Sequence, residues 1–167
     1  MSSFILISSQ TISSATASVT FSSIPTTLNS KTLRDLVLIF TPRVTSLAAY
    51  NIRFNNDTNS NYSSVNIAGD GTGTSSSTGT GTAITIGPSL TAATTTLGET
   101  NCIVQVFDFA QTNKHKTISV RSNRANNGVV ALTGRWANTT VISSLTIGLN
   151  NSANIDAGTF TLYGIEG

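Results

Sequence analysis

Few residues in this chain are equipped for chemistry, and their spacing limits each of them. The 167 residues contain one histidine, His115, one cysteine, Cys102, and seven side-chain carboxylates. His115 lies between Lys114 and Lys116 in a turn-like stretch, with no serine or cysteine nearby in sequence to form a nucleophile and base pair. Cys102 falls in an alternating apolar segment, where a thiol is buried and inert, and a single cysteine closes no internal disulfide. One histidine and one cysteine also exclude a Cys/His zinc site within one chain. Asp57, Asn59 and Asn61 set oxygen ligands at alternate positions, as a calcium loop does. The loop template then wants Gly and a bidentate Glu where this chain has Tyr62 and Ala68, so the stretch reads as an Asx-rich hairpin loop. Gly69, Asp70, Gly71, Thr72, Gly73 is glycine-rich, but neither the lysine nor the helix of a phosphate-binding loop follows it. A glycosidase pair would have to come from Asp35, Asp57, Asp70, Glu99, Asp108, Asp156 and Glu166, most of which sit at strand ends or turns where Asp is expected anyway. The expectation is a protein with no catalytic residue, no cofactor and no metal.

Composition bounds the partners. Charged residues make up 10% of the chain, against about 25% in an ordinary domain, and Ser, Thr, Asn and Gly take their place. The net charge of +2 and pI near 9.0 reflect a small excess of bases over very few acids, without the dense basic stripe that nucleic acid requires. No apolar run approaches the ~18 residues of a membrane span. The N-terminal run Phe4, Ile5, Leu6, Ile7 is too short, and lacks the basic start, to be a secretory signal. A soluble chain without nucleic-acid or membrane partners, made without a Sec-type address, is expected.

The elements that must position these residues are strands. Leu36 to Phe40 are five consecutive apolar residues between Asp35 and Pro42, too short for a helix and suited to a central strand covered on both faces. Most other apolar segments alternate with Ser, Thr or Asn and can bury one face only. Tyr50, Ile52 and Phe54 point one way and Asn51 and Arg53 the other. Val19 to Ile24, Tyr62 to Ile67, Ala83 to Gly87 closed by Pro88, Cys102 to Phe109, Thr117 to Arg121, Val129 to Trp136, Val141 to Leu149 and a closing strand through Phe160 and Leu162 complete about ten strands. Leu28 to Arg34 reads as a polar connection, and Asn126, Asn127, Gly128 as a hairpin turn. The expected fold is all-β, a single antiparallel two-sheet β-sandwich over residues 1–167, of jelly-roll type. Residues 1–10 form an N-terminal strand or arm, and residues 69–82 a long Gly/Ser/Thr loop.

Contact with other proteins is the function such a chain can support. The arm Phe4, Ile5, Leu6, Ile7 is too apolar to stand free in water, so it must join a sheet or add a strand to a neighbour. Arginine is enriched at interfaces because its planar fork pairs with carboxylates and stacks on rings, which makes Arg43, Arg53, Arg121 and Arg124 further partner-contact candidates.

The succession Asp35 to Phe40, then Tyr50 to Asp57 with Asn61, Tyr62, Ser63, then Gly134, Arg135, Trp136, and the ending Phe160 to Ile165 resembles small virion proteins of tailed bacteriophages. The likeness is greatest to those of phages of cyanobacteria and other marine bacteria, and it runs from Val19 onward. It implies a β-sandwich structural protein of the virion, assembled in the host bacterial cytoplasm, with no catalytic residues to carry over. A head decoration, knob or cement protein would bind the major capsid protein or other virion proteins as a homo-oligomer. The alternative is a tail-fibre or receptor-binding module recognising host glycans through residues 55–61 and 69–82.

Overall fold

The computed structural model describes residues 3–86 and 95–167, and among them every regular element is a strand. In chain order these are β1 (Phe4–Ile12), β2 (Ser18–Phe21), β3 (Thr27–Leu28), β4 (Lys31–Val44), β5 (Tyr50–Phe54), β6 (Tyr62–Gly69) and β7 (Thr74–Gly81). They continue as β8 (Ile84–Ile86), β9 (Thr100–Phe107), β10 (Lys116–Arg124), β11 (Gly128–Trp136), β12 (Leu145–Leu149) and β13 (Ile155–Glu166). The end of the strand expected to close at Pro88 lies outside the described residues.

The thirteen strands make two antiparallel sheets. The larger runs β1-β13-β4-β9-β10-β11-β6-β7, with β3 hairpinned onto β4, and the smaller runs β2-β12-β5-β8. The inward residues of both enter one apolar cluster, so the molecule is a β-sandwich. Strands β1, β13, β4 and β9 of one sheet and β2, β12, β5 and β8 of the other form two sets of four, and the hairpins β6–β7 and β10–β11 widen the larger sheet beyond β9. Alternation explains the burial. Val19 and Phe21, Tyr50, Ile52 and Phe54, Cys102, Val104 and Val106, and Phe160 and Leu162 are all inward. Phe40 stacks on Phe160 at 5.2 Å and meets Tyr50 edge-on at 5.3 Å, packing the centre with aromatic rings.

Four expectations are revised. The polar connection over Leu28 to Arg34 is the hairpin of β3 into β4, and Leu33 is buried. Strand β4 runs through Pro42 to Val44. Beyond Phe40 it pairs with β13 but no longer with β9, and opposite Pro42 stands Gly158 at φ 130°, beside a register shift in β13. Proline is tolerated at such irregular, singly paired positions. The long loop over residues 69–82 is a hairpin, with β7 paired to β6 from Thr74 opposite Gly69 to Gly81 opposite Tyr62. Its side chains bury nothing, as composition implies, but the backbone ladder and threonine's preference for extended geometry suffice to order it against its own domain. Strand β4 is central, yet a second layer covers only its Leu36, Leu38, Phe40 face. On the other face Val37 is 5% exposed, closed in by neighbouring strands, while Ile39 is 38% exposed.

The apolar arm resolves into the first of its two options. Strand β1 pairs with β13 in its own sheet, and Ile5, Ile7 and Ile12 pack against the core.

Candidate protein-binding surface

Because paired residues in an antiparallel ladder share a face, the registers define the outward surface of the larger sheet. From β1 across to β9 it carries Phe4 and Leu6, then Tyr163 and Ile165, then Val37 and Ile39, then Ile103 and Phe107. From β10 to β6 it carries Arg121, Ser119 and Thr117, then Val129, Ala131, Thr133 and Arg135, then Val65 and Ile67. Strand β7 finishes it with Thr74, Ser76, Thr78 and Thr80. Phe4 is 63% exposed and leans edge-on against Tyr163 at 6.0 Å, and Ile67 is 62% exposed. Leu6, Val65 and Val129 are also more than half exposed. Apolar and β-branched side chains therefore stand in water across most of the sheet, a distribution that marks contact surfaces.

Charge is sparse there and unbalanced. Asp35 points outward but is buried and satisfied. Its carboxylate takes Arg34 Nη2 at 2.9 Å and the Asp108 backbone N–H at 2.9 Å. Arg121 and Arg135 are exposed, and no carboxylate lies within ion-pair distance of either among the described residues. At the Arg135 end lies a shallow depression of about 530 Å³ lined by Val65, Phe107, Thr117, Ser119, Thr133 and Arg135.

The partner-contact candidates separate into four groups. Phe4, Leu6 and Arg121 share the outward face. Ile5 and Ile7 are directed at the core. Arg43 pairs with Asp156 at 3.0 Å and Arg124 with Glu99 at 3.6 Å. Arg53 is on the smaller sheet, donating to the Thr82 carbonyl at 3.1 Å. The sequence reading did not single out Arg135, Val65, Ile67 or Val129 as contact candidates. Their alternation with Gly134, Asn66, Ala68 and Val130 was visible, but not that β6 and β11 would lie side by side.

Among the described residues no group of three or more His, Cys, Asp or Glu side chains converges as a metal site would require. His115 is exposed in the turn before β10. The Cys102 thiol, buried in the core, is pushed up to about 12 by desolvation. The Asp57 carboxylate accepts Asn59 N–H at 2.9 Å, Asn59 Nδ2 at 2.7 Å, Asn61 Nδ2 at 2.8 Å and Trp136 Nε1 at 2.7 Å. The Asn61 bond, ahead of the others, lowers its pKa to about 2 against the desolvation that raises it. Its oxygens are thus spent on N–H donors that orient the loop, which is Asx-rich as expected but crosses from β5 of the smaller sheet to β6 of the larger one instead of closing a hairpin. Asp70 similarly caps the β6–β7 turn, taking Thr72 N–H at 2.9 Å and Gly73 N–H at 2.8 Å.

No family model matches this chain, and no curated protein matches it.

Proposed function

We propose that this chain is a structural protein of a phage particle, a head decoration or cement protein that binds the outside of the capsid through protein contacts and catalyses no reaction. The observation that carries the reading is the outward face of the larger sheet, with Phe4, Leu6, Ile39, Val65, Ile67 and Val129 in water on a surface nearly free of charge. The strand order supports it. We read the sets β1-β13-β4-β9 and β2-β12-β5-β8 as the two sheets of a jelly roll, an architecture common to viral capsid and lectin domains. Repetition over many capsid sites turns a modest contact into shell stability by mass action. Copies also associate with one another in this reading. Strand β7, exposed on both faces and free of charge, proline and bulge, offers an unprotected ladder edge for that purpose.

Copy number in purified particles is the test. Hundreds of copies, released together with the loss of head stability, are expected. Absence from particles, or a handful of copies at the tail, refutes the decoration role. A second reading, a tail receptor-binding module, is favoured by a polar hollow of about 280 Å³ lined by Asn55, Asp57, Asn59, Asn138 and Thr140 beside Trp136. Saturable binding on a glycan array, lost on Asn138→Ala, is what that reading requires.

A further inference from the structure

The unbalanced charge on the outward face carries a statement about what covers it. All seven side-chain carboxylates are engaged within the chain. Glu166 holds Lys31, Asp35 holds Arg34, Asp156 holds Arg43, Asp108 holds Lys114, and Glu99 holds Arg124. Asp57 accepts from Asn59 and Asn61 of its own loop and from Trp136, and Asp70 takes the Thr72 and Gly73 N–H groups and the Thr72 hydroxyl on one oxygen. The remaining cations include Lys116, buried on the carbonyls of Gln111, Lys114 and Thr139, and Arg53, on the Thr82 carbonyl. Arg121 and Arg135 are left on the larger sheet without an anion. A second copy of this chain offers no extended segment with two closely spaced side-chain carboxylates, since its seven acids stand nine or more residues apart in sequence.

We propose that this face docks an extended segment of another protein carrying two acidic residues four positions apart with an apolar residue midway. The spacing follows from register. Arg121 stands opposite Ala131, and Arg135 is four residues further along the same strand as Ala131, on the same face. Four residues at ~3.4 Å each separate the two guanidinium stems by about 14 Å along the strands. Positions i and i+4 of an extended chain have the same separation and also share a face. Position i+2 then falls over the Ser119/Thr133 pair, where the depression bounded by Val65 and Phe107 receives it. Each arginine can take a carboxylate in a two-pronged bond, which fixes the register of a segment that the flat apolar surroundings would leave free to slide. The exposed valines and isoleucines beside the arginines suit a protein segment better than a polyanion such as nucleic acid, which would need several more cations. This inference deepens the interfacial reading, resting on the face being a protein-binding surface and not on the partner being a capsid.

The test is an NMR titration of the full chain with a blocked peptide Thr-Glu-Thr-Val-Thr-Glu-Thr. Controls are the same peptide with Lys for Glu, one with its two Glu residues adjacent, a thymidine oligonucleotide and hyaluronan. Saturable shifts at Thr117, Ser119, Arg121, Thr133 and Arg135 are expected with the first peptide alone. Arg121→Gln with Arg135→Gln should weaken it about tenfold, two exposed ion pairs being worth up to about 1 kcal/mol each. Arg53→Gln on the other sheet should not. Absence of saturable shifts, equal binding of the Lys or adjacent-Glu peptide, tighter binding of either polyanion, or a dimer broken by the arginine double variant overturns the proposal. A chain absent from particles sinks the virion role and leaves this result standing, whereas a failed titration leaves the copy number untouched.

Discussion

Asp57→Ala tests the account of the loop between β5 and β6. The carboxylate is the common acceptor for Asn59, Asn61 and the indole N–H of Trp136, a side chain only 1% exposed. The Asn59 bonds are at the surface and contribute a few tenths of a kcal/mol at most, because water replaces them. The indole bond is different. With Asp57 gone, a buried donor in the stack with Tyr62 at 6.2 Å and Phe54 at 5.6 Å loses its partner, which costs ~1–3 kcal/mol. The whole substitution should therefore cost about 1–3 kcal/mol, or roughly 2–12 °C in Tm for a chain of this size. Trp136 is the only tryptophan, so urea unfolding followed by its emission reads the same site that the mutation perturbs. The pH dependence carries a sign. The folded carboxyl is held at about 2, below its unfolded value, so its stabilisation is complete above pH ~4 and is lost as pH falls toward 2. Asp57→Ala should flatten that part of the acid profile. Asp70→Ala, which removes a carboxylate of the same depressed pKa from an exposed turn with no buried donor behind it, should move Tm much less. A cost for Asp57→Ala equal to that for Asp70→Ala, or an unchanged acid limb, would refute the reasoning.

Two further outcomes check the packing. Gly158→Ala places a Cβ 2.5 Å from the Thr41 carbonyl oxygen and 2.7 Å from Pro42 Cα at φ 130°, and should destabilise by roughly 3 kcal/mol or more in urea titration. Gly71→Ala, at φ 87° with open space around it, should lose only the ~1 kcal/mol of a left-handed backbone. Cys102, with its thiol raised to about 12, should be silent to a disulfide reagent at pH 8 in the native chain and titrate fully in denaturant. A fast native reaction there would show that the core opens or packs differently.

How far the fold was legible depends on what each segment needed to know. The alternation at Tyr50, Ile52, Phe54 and at Phe160, Leu162 assigns strand and buried face locally, since a one-residue shift would expose the whole set. The turn at Asn126, Asn127, Gly128 is equally local, and there β10 and β11 do pair as a hairpin. The Gly/Ser/Thr stretch was misread because composition reports side-chain burial, whereas β7 is ordered by its backbone against β6. The continuation of β4 through Pro42 was hidden because proline is excluded only where a ladder must be continued, and the pairing on the β9 side ends before it. The asymmetry of β4 was hidden for a related reason. A run of five apolar residues does not distinguish a strand covered by two layers from one covered by a single layer and its own sheet neighbours.

Sequence alone therefore determined the strand-rich class, the inward residues and the absence of spacing suited to familiar catalytic motifs, because period-two burial and motif spacing are properties of neighbouring residues. Only tertiary structure decided that Phe4, Val65, Val129, Arg121 and Arg135 share one face, because strand order is set by pairings between segments far apart in the chain. The same fold committed five carboxylates to ion pairs and left Arg121 and Arg135 on that face without one, a placement that a list of nine bases and seven acids does not contain.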